Sequence, residues 1–208
     1  MNRERLLREL SGQIRDERVL AAIAAVPRDL FVPPRERRRA WENRALGIGR
    51  GQTISQPAVV ARMCQALDVQ PGQRVLDVGT GSGYHAAVLA TLGARVRSIE
   101  RHRPLSEQAA RNLEAAGVEG VELLVGDGRR GHPQTAPYHG ISVAATAEGG
   151  VPGALLEQLD SDGRLVAPVR DADGERLVLI RRRPDGGLER TDLEAVRFVP
   201  LLDGIEEE

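Results

Sequence analysis

The chain contains no lysine: all 29 of its basic residues are arginine, set against 30 acids for a formal net charge of -1. Without lysine there is no Schiff-base chemistry and no P-loop lysine to reach a nucleotide phosphate. The near-neutral charge argues against a general polyanion binder. Cys64 is the single cysteine, which excludes an internal disulfide and any multi-cysteine metal site. His85, His102, His132 and His139 lack metal-ligand spacing, so no metal is expected. Neither a signal peptide nor an apolar run of membrane length occurs, and the chain reads as cytoplasmic, with no membrane partner. There is no internal repeat.

What is present begins with a helical appendage over residues 1–50. Leu6, Leu7, Leu10 and Ile14 recur at helical spacing, as do Val19, Leu20, Ile23 and Val26 before Pro27 stops the pattern. This segment holds twelve arginines against seven acids, with Arg35, Arg37, Arg38 and Arg39 clustered, while the remaining 158 residues hold 17 against 23. No aromatic or glycine-rich recognition pattern accompanies the cluster, so it reads as a solvated helix face and no nucleic-acid partner is expected. At 22.5 kDa the chain fits one compact unit, its main domain running over residues 51–208.

The organising stretch is Arg74 to Tyr84, Arg-Val-Leu-Asp-Val-Gly-Thr-Gly-Ser-Gly-Tyr. Val75, Leu76 and Val78 predict a strand covered on both faces. Gly79, Gly81 and Gly83 then alternate, so that a ligand can approach the backbone closely, and the helix from His85 to Leu92 turns its unpaired N–H groups toward that ligand. A dinucleotide fingerprint wants a glycine three positions after Gly81, where Tyr84 stands. The next strand, Arg95 to Ile99, ends in Glu100, whose carboxylate suits both ribose hydroxyls of a nucleoside. A third, Val121 to Val125, ends in Gly126-Asp127-Gly128. Glycine loop, acid after strand two and acid after strand three together resemble the class I S-adenosylmethionine (AdoMet) methyltransferases.

A second informative stretch, Gly47 to Pro57, combines glycines with the short neutral hydrogen-bonding groups of Gln52, Thr53, Ser55 and Gln56. It reads as a flexible or tightly turned loop, either a functional lip or a polar linker with a capping serine. In the helix from Ala58 to Leu67, Val60, Met63, Cys64 and Leu67 share one face, which makes Cys64 a core residue.

Gly-Gln-Thr-Ile-Ser-Gln-Pro at 51–57, followed by the glycine loop, resembles the protein-L-isoaspartate (D-aspartate) O-methyltransferase family. Val26-Pro27-Arg28, Phe31-Val32-Pro33, Gly126-Asp127-Gly128, Gly163 to Pro168 and Arg197 to Leu201 match as well, so the likeness covers nearly the whole chain, from about Val19 to Leu202. It implies AdoMet as methyl donor, S-adenosyl-L-homocysteine as product, and isoaspartyl proteins or peptides as partners, with a monomer as the working form. It further implies that Asp77, Gly79, Thr80, Gly81, Gly83 and Tyr84 shape the methionine and ribose side of the cofactor site, that Glu100 holds the ribose, and that Asp127 and Gly128 meet the adenine. Thr53 and Ile54 match the loop between cofactor and substrate; Gln52, Thr53, Ile54, Ser55 and Ala144 are the substrate residues implied, and Ser55 the catalytic one. Two departures stand out: His139 replaces an acid before strand four, and Ala144 to Glu148 replaces the usual Thr-Ala-Ala-Ala-Pro. Both are expected beside the substrate pocket, as in a relative that methylates aspartate in a dedicated peptide.

The expected fold is α/β: a three-layer, Rossmann-like class I methyltransferase sheet, mostly parallel, closed by a C-terminal antiparallel hairpin and carrying the N-terminal helices. Further strands are expected at Ile141 to Ala145, Arg164 to Val169, Arg176 to Arg183 and Glu194 to Phe198, with turns at Asp171 to Gly174 and Pro184 to Gly187. Glu206, Glu207 and Glu208 read as a solvated end. Neither an Asn/Asp-Pro-Pro-aromatic motif nor a Pro-Cys nucleophile is present, which argues against a nucleic-acid methyltransferase. A small-molecule methyltransferase has no reason to carry Thr53 to Pro57. A non-catalytic AdoMet-binding homologue remains the alternative.

Overall fold

The computed structural model describes residues 2–206; Glu207 and Glu208 of the expected solvated end lie outside the described residues. The chain opens with α1 (Arg3–Ser11), whose N-cap Asn2 accepts from the Arg5 N–H, and α2 (Glu17–Ala25), capped the same way by Asp16. Then come β1 (Leu46–Gly49), β2 (Gln52–Ile54), α3 (Pro57–Leu67), β3 (Arg74–Val78), α4 (Tyr84–Thr91), β4 (Arg95–Glu100), α5 (Arg103–Ala115) and β5 (Val121–Val125). The remainder is β6 (Tyr138–Val143), β7 (Ala147–Glu148), α6 (Gly153–Glu157), β8 (Leu159–Asp171), β9 (Gly174–Arg182) and β10 (Leu188–Ala195).

The main sheet runs β10-β9-β8-β6-β3-β4-β5, with β7 beside β8. Pairing is parallel from β8 through to β5, and β8, β9 and β10 close one edge antiparallel. From β3 the chain steps outward through β4 to β5, then crosses back to lay β6 on the other side of β3. That reversal opens a crevice at the carboxyl ends of β3 and β6, where sheets of this kind bind ligands. On one face, Leu6, Leu10, Val19 and Ile23 of the first two helices share a core with Val60, Met63 and Cys64 of α3, Leu89 of α4 and Leu113 of α5. On the other, Leu76, Val78, Ile141 and Val143 pack with Leu155 of α6 and with Leu201.

Two expectations need correction. The stretch before Pro57, expected as a flexible or tightly turned loop, is tightly turned but paired: β1 and β2 form an antiparallel hairpin that turns through positive φ at Gly49, Arg50 and Gly51. The last strand ends at Ala195, opposite Arg176 of β9; beyond it the Val196 N–H still donates to the Glu175 carbonyl at 3.1 Å, and the Phe198 N–H donates to Glu175 Oε1 at 2.6 Å. Glu206 has an exposed side chain, as expected of a solvated end, while its backbone bridges to His102 in parallel and its carboxylate pairs with Arg101 at 2.6 Å.

Candidate active site

A cavity of about 900 Å³, counting its open mouth, occupies the crevice at the carboxyl ends of β3 and β6. Its walls bring together most of the residues singled out from sequence: Gln52, Thr53, Ile54 and Ser55 from the hairpin; Gly79, Thr80, Gly81 and Tyr84 from the glycine loop; Glu100, Gly128 and Ala144 from the ends of β4, β5 and β6. Four strand ends and one hairpin, far apart in sequence, converge because parallel strands end at the same edge.

Glu100 is the electrostatic centre of this wall. It is buried, and its two oxygens accept from the backbone N–H groups of Gly81 at 2.8 Å and His102 at 3.0 Å. The Gly81 bond ties the carboxylate to the glycine loop and the His102 bond ties it to the turn into α5, so it braces the loop as well as facing the cavity. Gly128 has a steric reason to be glycine: a Cβ there would stand 2.5 Å from Val78 Cγ1.

Asp77, Gly83 and Asp127 lie outside the cavity wall. Asp77 is sealed beneath the loop, where its Oδ2 accepts from Ser98 Oγ at 2.7 Å and Ser98 Oγ meets Thr80 Oγ1 at 2.6 Å. Burial pushes its carboxyl up to about 7, with the Ser98 bond opposing and the Glu100 charge reinforcing. Gly83 caps α4 at φ 88°, closed against Ala109. Asp127 caps the turn Gly128–Arg130, accepting from the Arg129 N–H at 2.9 Å.

Other residues in the wall were missed. His85, Arg101 and His102 line it, as do Val199, Pro200, Leu201 and Leu202. The C-terminal run returns over the strand ends, held by the Thr146 N–H to the Val199 carbonyl at 2.7 Å and the Leu201 N–H to the Thr146 carbonyl at 2.8 Å. The match at Arg197 to Leu201 flagged this stretch, though not its place. Tyr84 packs edge-on against Phe31 and under the Arg28 guanidinium, 4.7 Å from the ring centre.

The departures separate widely. His139 sits at the amino end of β6, accepting from the Arg74 N–H at 3.3 Å and 3.7 Å from Asp160, at the opposite edge of the sheet from the cavity. Thr146 Oγ1 is engaged with Glu175 at 2.6 Å, and Glu148 pairs with Arg170 at the surface. Only Ala144 and Ala145 of the altered residues reach the wall.

A second, open groove of about 1200 Å³ lies on the far side of the hairpin, lined in part by Glu9, Asn43, Gln56, Arg62, Glu194, Arg197 and Phe198. Thr53 and Ser55 line both groove and cavity. Among the described residues the Ser55 hydroxyl makes no hydrogen bond, while its carbonyl accepts from Arg28 at 2.8 Å. No cluster of metal-ligating side chains, and no helix long and apolar enough to cross a membrane, occurs among the described residues.

Residues 1–206 match the family model of protein-L-isoaspartate(D-aspartate) O-methyltransferase. The protein-L-isoaspartate O-methyltransferase of Aeropyrum pernix is 54% identical over 197 residues, covering 92% of this chain and 75% of that one. That of Halorhodospira halophila is 51% identical, covering 97% and 92%. A solved protein-L-isoaspartate O-methyltransferase superposes with TM-score 0.85 at 29% identity over 96% of this chain, which spans 65% of that longer one. A chain assigned to the same activity from Plasmodium falciparum, in complex with S-adenosyl-L-homocysteine, has the same fold: TM-score 0.83, 24% identity, 97% of this chain and 99% of that one. With such matches laid over a glycine-loop crevice and the Thr53–Ser55 wall, the chain belongs to the protein-L-isoaspartate(D-aspartate) O-methyltransferase family.

Proposed function

We propose that the chain methylates the α-carboxylate of L-isoaspartyl residues in damaged proteins and peptides, using AdoMet as donor, releasing S-adenosyl-L-homocysteine and starting repair through a succinimide. The observation that carries the substrate side is the wall shared by cavity and groove. Thr53 and Ser55 border both the groove, where a peptide would lie, and the cavity that the glycine loop lines.

The residues of the cavity fit AdoMet. The glycine loop opens onto the N-terminus of α4, Glu100 presents a buried carboxylate to a ribose, and a side chain at Gly128 would clash with β3. When bound, AdoMet supplies an electrophilic methyl group on its sulfonium. The protein's own task is small. An isoaspartyl carboxylate has an ordinary reference pKa of about 3.9, so it is ionised at neutral pH and needs no base. Ser55 donates to one carboxylate oxygen and leaves the other free to be aimed; fixed orientation of this kind contributes roughly 7–11 kcal/mol of barrier lowering. The ester then closes as the following backbone nitrogen displaces methanol, a step that asks nothing of the protein.

In this reading Ser55 is the catalytic residue, Gln52 and Ala144 border the substrate, and the enzyme works as a cytoplasmic monomer without nucleic-acid or membrane partners. General damaged protein is favoured over one dedicated peptide, since His139 and Glu148 stand away from the cavity. The test is transfer of a labelled methyl from AdoMet to an isoaspartyl peptide and to the aspartyl peptide of the same sequence. Strong preference for the first is expected; equal activity on both, or activity on aspartate alone, would overturn the substrate.

A further inference from the structure

Arg28 heads the fully buried side chains, and it is a cation. Its Nε donates to the Ala40 carbonyl at 2.8 Å, and one terminal nitrogen donates to the carbonyls of Ser55 at 2.8 Å and Arg44 at 3.4 Å. The other, Nη1, has no partner among the described residues. The surroundings are carbonyls and the Tyr84 ring, and no acid acts on its charge: burial pulls the guanidinium down to about 10, opposed only by the Tyr84 phenol. A buried ion without a counter-ion is among the costlier things a fold can hold. Three carbonyl dipoles accept its hydrogen bonds without neutralising its charge.

The position of the guanidinium shows where a counter-charge would fall. It grips Ser55, which stands between groove and cavity, and covers Tyr84, which lines the cavity, yet it lines neither itself. We infer that Arg28 is the fixed positive charge behind the substrate site, and that the α-carboxylate of an isoaspartyl residue at Ser55 supplies the counter-charge the fold omits. This rests on the substrate reading above and goes beyond it, in naming the source of charge recognition. Sealed from both spaces, Arg28 is a positioning residue acting through Ser55 and through the low-dielectric interior, where charges interact more strongly than in water. The carboxylate loses its charge as the ester forms, so the attraction is larger in the ground state than in the transition state. It therefore tightens peptide binding and does not raise kcat.

The experiment compares two peptides on protein loaded with S-adenosyl-L-homocysteine, by calorimetry. One carries isoaspartate; the other carries isoasparagine, a neutral carboxamide in place of the α-carboxylate. The wild-type protein should bind the charged peptide at least roughly ten-fold tighter than the neutral one. Arg28→Met and Arg28→Gln should bring that ratio close to one, and Arg28→Lys should keep most of it. Affinity for S-adenosyl-L-homocysteine within about three-fold of wild type, with cooperative thermal unfolding, identifies the folded variants. A wild-type ratio near one, an undiminished ratio in Arg28→Met or Arg28→Gln, or a collapsed ratio in Arg28→Lys each overturns the inference. The first and third of these decide it even where both neutral variants fail to fold. Wild-type protein that binds neither peptide overturns the substrate reading, whereas binding without charge discrimination overturns this inference alone.

Discussion

Nδ1 of His85 lies 3.7 Å from Oδ1 of Asp77 beneath the glycine loop, and both side chains are buried. Asp77 Oδ1 has no hydrogen-bond partner among the described residues, and the His85 ring nitrogens meet Cys64 Sγ and Ser142 Oγ, each at 3.5 Å. Burial acts on the two in opposite senses, pushing the Asp77 carboxyl up to about 7 and the His85 imidazole down to about 4. The pair beneath the glycine loop is therefore held neutral at mildly acid pH.

This pair shapes the dependence of stability on pH. Asp77 binds its proton more tightly folded than unfolded, so its contribution falls as pH rises from about 4 to about 7. His85 binds its proton less tightly folded, so its contribution falls in the other direction, as pH drops from about 6.5 to about 4. In the wild type the slopes offset. Asp77→Asn should leave the histidine slope alone, with stability climbing steeply from pH 4 to 6.5; His85→Gln should leave the opposite slope, with stability declining toward neutral. Urea unfolding at half-unit pH steps measures both, and profiles parallel to wild type would contradict the assignment.

Glu100→Ala should weaken AdoMet about 10- to 100-fold, since a charge-assisted hydrogen bond is worth roughly 1.5–3 kcal/mol. The same change frees the Gly81 and His102 N–H groups, so slower exchange of the loop amides in wild type than in the variant is also expected. Calorimetry with AdoMet and with NAD decides the point; unchanged AdoMet affinity, or tighter NAD, speaks against the reading.

Ser55→Ala should lower turnover on an isoaspartyl peptide by on the order of ten- to a thousand-fold, the loss expected for one oriented hydrogen bond made in the transition state. AdoMet affinity should hold within about three-fold, because the Arg28 contact to the Ser55 carbonyl survives the substitution. A variant with full turnover would remove Ser55 from the chemistry.

Cys64 is a core residue of α3, packed with Val60 and Met63, and burial pushes its thiol well above the usual range. Native protein should therefore resist iodoacetamide and react only on unfolding. Cys64→Ala should cost about 1 kcal/mol of stability while leaving turnover nearly intact. Rapid alkylation of the folded protein, or a folded but inactive variant, would reverse the assignment.

Local pattern was enough for the cofactor half of the molecule. The apolar run of β3, the alternating glycines and the acid after β4 are set by interactions a few residues apart, and they place Gly79, Gly81 and Glu100 in the cavity wall directly. The hairpin was harder to read, because Gln52 to Ile54 is too short and too polar to show alternation; its strand character comes from pairing with Leu46 to Gly49. His139 was misplaced for a related reason. Its neighbour Ala144 is close in sequence, yet a strand of six residues carries the two to opposite edges of the sheet.

The sequence by itself determined the order of elements, the glycine loop, the family motifs and the burial of Cys64, all consequences of periodicity and local backbone preference. Tertiary structure decided which of the matched residues face the cavity and which only support it. Asp77 and Asp127 carry acids at strand ends just as Glu100 does, yet one is sealed under Thr80 and Ser98 and the other turned inward to cap its own backbone. It also decided the return of Val199 to Leu202 across the strand ends and the burial of Arg28 behind Ser55. No local pattern encodes these, because each depends on surfaces that meet only when the sheet has closed.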